Sequence, residues 1–245
     1  MIHKLKTILL LPFEDFISAL ENCIKVFSFT RIFIIIAAFV ATWLIYVPIH
    51  ELAHAIGCIV GGGTVTRLEI SPMYGAAFLQ KVFPFVAVGS DYAGQLTGFD
   101  THGSDLIYLL TDFFPYLLTV FIGVPLLRSA ARSSRIVGSL KLGVAIPLAF
   151  APFISFSGDY YEMGSIIVTR IAKMISGSAN YLRLRSDDVF KLAEETFIKG
   201  TSYTTADVVV VILSFLLGVV LIYVTYALGA LFSNFLFGII RRKSD

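Results

Sequence analysis

The run from Val208 to Ile240 contains no charged side chain. A helix needs about 20 predominantly apolar residues to cross the ~30 Å hydrocarbon layer of a bilayer, so this stretch is long enough to span one. Three others qualify. They are Arg31–Val60 ("RIFIIIAAFVATWLIYVPIHELAHAIGCIV"), Leu106–Leu127 ("LIYLLTDFFPYLLTVFIGVPLL"), and a stretch from Leu140 that reads "LKLGVAIPLAFAPFISFSG" before meeting Asp159. In hydrocarbon every backbone N–H and C=O must find a partner inside its own segment, which restricts such runs to helices. Composition agrees: 57% of residues are hydrophobic and 15% charged, against about 25% charged in soluble domains. The expected fold is an all-α polytopic membrane protein of about four transmembrane helices.

The connections differ in character. Gly61 to Gly63 end the first apolar helix, and "TVTRLEI" (64–70) alternates like a short strand. A small membrane-associated strand region is therefore expected after the first span. "AAFLQKVFPFVAV", broken by Lys81 and Pro84, is too short to cross and is expected to lie in the interface or re-enter. Residues 128–141 carry Arg128, Arg132, Arg135 and Lys141 without an acid, the pattern of a short cytoplasmic loop. Residues 170–207 mix Arg183 and Arg185 with Asp187, Asp188, Glu194 and Glu195, as a solvated helix pair outside the membrane would. The chain divides into an amphipathic or interfacial segment (1–30), a transmembrane core (31–170), an extramembrane helical segment (171–207), and a last span with a basic tail (208–245). The basic loop, Lys4, Lys6 and "RRKSD" favour both termini in the cytoplasm, while six basic residues in 170–207 run against that orientation.

Several classes are excluded. A net charge of +2, scattered along the chain, gives no footprint for nucleic acid. Two cysteines, Cys23 and Cys58, do not make a disulfide framework. The start "MIHKLKTILLLPFEDF" has a basic opening, but its apolar stretch is short and acids follow, so no cleavable signal peptide is expected.

Within the first span stands "HELAH": His50, Glu51, Leu52, Ala53, His54. Ionisable groups at membrane depth are costly and mark function. Residues four apart share a helix face, so two imidazoles can bind one Zn²⁺ at about 2.0–2.1 Å per nitrogen. Glu51 sits beside that pair, placed to act as general base on water. Structural zinc prefers four protein ligands, often cysteines, which this chain almost lacks. The rival reading is a polar helix end that snorkels to the interface. Pro48, just upstream, kinks the helix or marks a packing irregularity.

A catalytic zinc needs a third protein ligand. Asp159 and Glu162 in "SGDYYEMGS", Asp112 in "LLTDFFPYLL", His102 in "GFDTHGSD" and Cys58 are the candidates. Four of the five have a plainer role. Asp159 can cap a helix opening at Tyr160, Asp112 can satisfy a polar pocket opened by Pro115, His102 can be an exposed loop histidine, and Cys58 can be a packed thiol.

These residues resemble the site-2 protease family of intramembrane zinc metallopeptidases. The resemblance covers roughly residues 31–170 and is specific at His50, Glu51 and His54. It implies HExxH on one transmembrane helix, a second span at 106–127, and an aspartate brought to zinc at the end of the third, which is Asp159. The family's Asn-x-x-Pro before a Leu-Asp-Gly is absent: Pro152 lies seven residues upstream, and Gly158 precedes the acid instead of following it. The implied activity is zinc-dependent hydrolysis of a peptide bond in or near a transmembrane segment of a membrane protein substrate. Glu51 is the implied catalytic base, and His50, His54 and Asp159 are the implied metal ligands. An exposed strand edge around "TVTRLEI" would hold the unwound substrate. The implied setting is the lipid bilayer of a bacterial inner membrane, with a regulatory membrane partner or an oligomer compatible with the chain. Two alternatives stand beside it: an inactive zinc-binding membrane scaffold or chaperone, and a metal-ion transporter. The last lacks the internal repeats expected of such folds.

Overall fold

The structure is a computed structural model that describes residues 2–90, 92–200 and 202–244; Asp245 of the basic tail lies outside them. The chain opens with α1 (Ile2–Ile24) and α2 (Phe29–Val60), which is continuous through Pro48. Then come β1 (Thr64–Ile70), α3 (Ala76–Val82), β2 (Val86–Val88) and β3 (Gly94–Asp100). A helical stretch from Asp105 to Ala130 follows. It consists of α4 (Asp105–Phe113), a 3₁₀ turn at Phe114–Tyr116, a π turn at Thr119–Gly123, and α5 (Val124–Ala130). Next are α6 (Arg135–Ala149), α7 (Ala151–Ile154) and α8 (Asp159–Ser176), then α9 (Val189–Ala193) and α10 (Thr205–Ser244).

Three helical stretches, Phe29–Val60, Asp105–Ala130 and Thr205–Gly238, are long and apolar enough to cross a membrane. A fourth is broken: α6 and the α7 segment meet at a 45° bend. The break follows from Pro152, which has no N–H to offer Leu148 C=O four residues back. That carbonyl is taken instead by Thr119 Oγ1 at 2.6 Å. Large apolar side chains of α2 point outward, among them Phe33, Ile36, Val40 and Ile45. Contiguous apolar surface of this kind is rare on soluble monomers.

Where helices meet, small residues let backbones approach, the usual way of packing apolar helices without a hydrophobic driving force. On α10, Ser214 and Gly218 face Gly164 and Tyr160 of α8. A Cβ on Gly218 would lie 2.9 Å from the Tyr160 carbonyl carbon. The Tyr160 hydroxyl donates to Thr225 Oγ1 at 2.9 Å, tying the start of α8 to α10. At the other end of the bundle, Arg128 pairs with Asp15 of α1 at 3.2 Å and with Asn234 of α10 at 2.9 Å. The basic loop therefore finds an acid from outside its own stretch of chain.

Two expectations are corrected. β1 is "TVTRLEI", as its alternation predicts, but over Leu68–Ile70 it is the central strand of a sheet ordered β2-β1-β3 and not an edge. Over Leu68–Ile70 it pairs with β2 in parallel and with β3 antiparallel, so the outer edge on that side belongs to β3. Leu68 and Ile70 alternate inward onto Ala55 of α2, which fixes the sheet against the motif-bearing helix. Residues 170–207 do not form a helix pair. The helix that holds 170–176 begins back at Asp159 and ends at Gly177, whose φ of 71° gives the left-handed cap glycine tolerates. Between it and the start of α10 the described residues form a 3₁₀ turn (180–184), the short α9 and a π turn (194–198).

Candidate metal centre

His50 and His54 project from one face of α2, one turn apart. Their Nε2 atoms are 3.2 Å from each other. Asp159, the first residue of α8, places Oδ2 3.2 Å from His50 Nε2 and 3.4 Å from His54 Nε2. The three residues form a group that could hold a metal ion. Donor atoms set tetrahedrally about 2.0–2.1 Å from a zinc lie about 3.3–3.4 Å from one another, and the observed edges fall on that scale.

The carboxylate gets there because the bend after α6 and the turn at Ser155–Ser157 carry the chain back toward α2 before α8 starts. Asp159 makes no capping hydrogen bond; Gly158 stands at the cap position. Its place at a helix N-terminus suits a negative charge. The Tyr116 hydroxyl donates to Oδ2 at 2.5 Å and holds the carboxylate in place.

The imidazoles are oriented from behind. His54 Nδ1 lies 2.9 Å from the Thr111 carbonyl. A carbonyl oxygen only accepts, so Nδ1 carries the hydrogen, and in the neutral ring the lone pair is on Nε2, facing the cluster. Thr111 C=O is free for this because Pro115, four residues on, has no N–H to give it. Gly57 lets α4 come close enough. A Cβ there would stand 2.6 Å from Phe114 Cβ and 2.8 Å from Leu110 O. On His50 the corresponding atom, Nδ1, is 2.9 Å from the Tyr46 hydroxyl. Outer partners of this sort fix the tautomer and ring orientation of metal-binding histidines.

Glu51, next to the ligand face, lines a cavity of about 600 Å³ together with His54 and Asp159. Its carboxylate has no hydrogen-bond partner among the described residues, and its stem packs against Gly94 of β3. Gln95, Leu96 and Phe99 of the same strand form another wall of the cavity. β3 pairs with β1 on one side only, so an edge strand borders the space beside Glu51.

The other candidate ligands are placed elsewhere. Glu162 lines the cavity one turn beyond Asp159 and accepts from the Tyr108 hydroxyl. Asp112 also lines the cavity, buried, outside the three-donor group. His102 sits in its loop with φ 52° and pairs with Asp100 at 3.2 Å, away from the cavity. Cys58 is buried, with Sγ 3.7 Å from Thr64 O. Sequence reasoning missed Tyr46, Tyr116, the Thr111 carbonyl and Gly94. Of these only Tyr46 carried a signal, since it precedes His50 by four residues on the same helical face. Comparison with protein-family models, with curated proteins and with solved structures returns no match to this chain.

Proposed function

We propose that the protein is a membrane-embedded zinc metallopeptidase of the site-2 protease kind, acting on a peptide bond in or near a transmembrane segment of another membrane protein. The observation that carries the reading is the His50–His54–Asp159 donor triangle, two of whose members, His54 and Asp159, line a cavity together with the unpartnered carboxylate of Glu51. Two imidazoles and one carboxylate suit zinc with an open fourth position, the donor set of catalytic centres. Zinc bound there supplies a Lewis acid that acidifies water and polarises a carbonyl.

The chain's own residues do the rest. Glu51 takes a proton from the attacking water and returns it to the departing amine nitrogen. Tyr116 and Tyr46 hold Asp159 and His50 in position, so the donors do not reorganise during the reaction. A peptide bond in a helix is shielded by its own hydrogen bonds, so the substrate must be unwound locally. The free edge of β3 offers backbone partners to an extended segment lying along the cavity. The outward apolar faces of α2 and α10 suit contact with lipid, which supports the reading of a multi-pass membrane protein.

The test is zinc per purified chain in the parent protein and in Asp159→Ala, with turnover of a transmembrane peptide by Glu51→Gln. About one zinc in the parent, lost in Asp159→Ala, and turnover abolished with zinc retained in Glu51→Gln are the expected results. Absence of zinc from the parent overturns the reading. Full turnover in Glu51→Gln removes the base.

A further inference from the structure

We infer that Asp112 and Glu162 form a subsite for a cationic side chain of the substrate, the ammonium of a lysine or the guanidinium of an arginine, beside the metal centre. This rests on the peptidase reading above. Both residues were candidate ligands on sequence, and neither belongs to the three-donor group.

The cavity wall carries four carboxylates besides Glu51 and Asp159, and three have partners. Asp187 accepts from Gln95 Nε2 at 2.8 Å. Asp188 caps α9, accepting from the backbone N–H groups of Phe190 and Lys191. Glu162 accepts from the Tyr108 hydroxyl. Asp112 is the exception: it is 4% exposed, and its Oδ2 has no partner among the described residues. Glu162, Asp159 and Asp187, which line the same cavity, are carboxylates as well. Among the described residues, Arg185 is the only lysine or arginine on the wall. It is engaged elsewhere, with Nη1 on Asp105 at 2.7 Å and Nε on Thr169 Oγ1 at 2.9 Å.

A buried carboxyl group without a counter-charge takes up a proton, and it is held as the carboxylate only where a cation or hydrogen-bond donor meets it. Asp112 and Glu162 do not belong to the group of donors close enough together to hold a metal ion, which among the described residues is His50, His54 and Asp159. An ammonium or guanidinium group needs only two or three acceptors, and Asp112 and Glu162 supply them. Asp112 follows Thr111, whose carbonyl orients His54, and Glu162 lies one turn after Asp159, so the bound cation sits close to the bond to be cut. Lysine and arginine flank transmembrane segments, so a substrate offering one next to its apolar stretch fits this cavity. The same wall rejects an acidic side chain by like-charge repulsion.

The experiment uses the zinc-loaded full chain in detergent with Glu51→Gln to prevent turnover. Three fluorescent apolar peptides, differing only in lysine, norleucine or glutamate at one position, are titrated by anisotropy. The expected result is at least tenfold tighter binding of the lysine peptide than of its norleucine twin. Asp112→Asn, and separately Glu162→Gln, should reduce that ratio to within about twofold. Equal binding of the lysine and norleucine peptides, no binding of the lysine peptide, or a ratio that survives in both variants overturns the subsite. Turnover of the same peptides with Glu51 intact separates the two ideas. Cleavage without lysine preference keeps the peptidase and removes the subsite; lysine preference without cleavage does the reverse.

Discussion

Gly94→Ala tests the proposed role of Glu51 without touching the His50–His54–Asp159 group. Gly94 opens β3 against the Glu51 side chain. A Cβ at that position would lie 2.7 Å from Glu51 Cδ and 3.1 Å from Oε2. Carbon atoms in van der Waals contact sit about 3.5–4.0 Å apart, so the carboxyl carbon must retreat by about 1 Å. Gly94 does not occupy the left-handed region, so alanine fits the backbone and the displacement falls on the side chain. A misplacement of that size in a reacting group costs on the order of 100-fold in rate. His50, His54 and Asp159 are not among the nearest atoms to the new methyl group. The expected outcome is zinc per chain equal to the parent, measured by elemental analysis, with cleavage of a transmembrane peptide reduced about 100-fold. Full turnover in Gly94→Ala would refute the placement of the base. Loss of zinc would show that the strand supports the metal instead.

Tyr116→Phe keeps the ring and removes the hydroxyl that holds Asp159 Oδ2; zinc affinity by chelator competition should fall about 10–100-fold, the usual cost of losing an outer-shell partner. Pro115→Ala restores an N–H that competes with His54 for the Thr111 carbonyl, so zinc affinity should fall about tenfold; unchanged affinity would remove the proline from the account. Gly218→Leu forces α10 away from Tyr160. Overpacking of this kind costs about 1–3 kcal/mol. A lower melting temperature in detergent together with lost zinc is expected, because Asp159 adjoins the displaced residue.

The parts legible in the sequence were those with a period or a local code. Length and apolar composition marked α2, the 105–130 stretch and α10, and two-residue alternation gave β1 to its ends. The i, i+4 spacing put His50 and His54 on one face. Tertiary pairing was not legible. Which strand is central depends on partners, and β3, with the sequence "GQLTGFD", has little apolar alternation to announce it. The bend at Pro152 that swings Asp159 toward α2 is visible as a proline, but its direction is set by packing. Residues 170–207 read as a helix pair from their mixed charge alone, whereas Gly177 stops the helix and the stretch beyond it is pinned by ion pairs such as Arg183–Asp207 at 2.8 Å.

The prolines explain how apolar helices can present polar groups to a buried centre. A backbone carbonyl in hydrocarbon normally stays bound within its helix, because leaving it unpaired is costly. Pro115 and Pro152 each release one carbonyl, and each is met by a donor from another element: His54 for Thr111, Thr119 for Leu148. The first sets the tautomer of His54. The second steadies the bend that delivers Asp159. His50 is held from its own helix by Tyr46, His54 by α4, and Asp159 by Tyr116, with its neighbour Tyr160 anchored to α10. The donor triangle is thus a readout of how α2, the 105–130 stretch, α8 and α10 pack. A substitution that loosens any of these contacts should lower metal affinity before it lowers helix content.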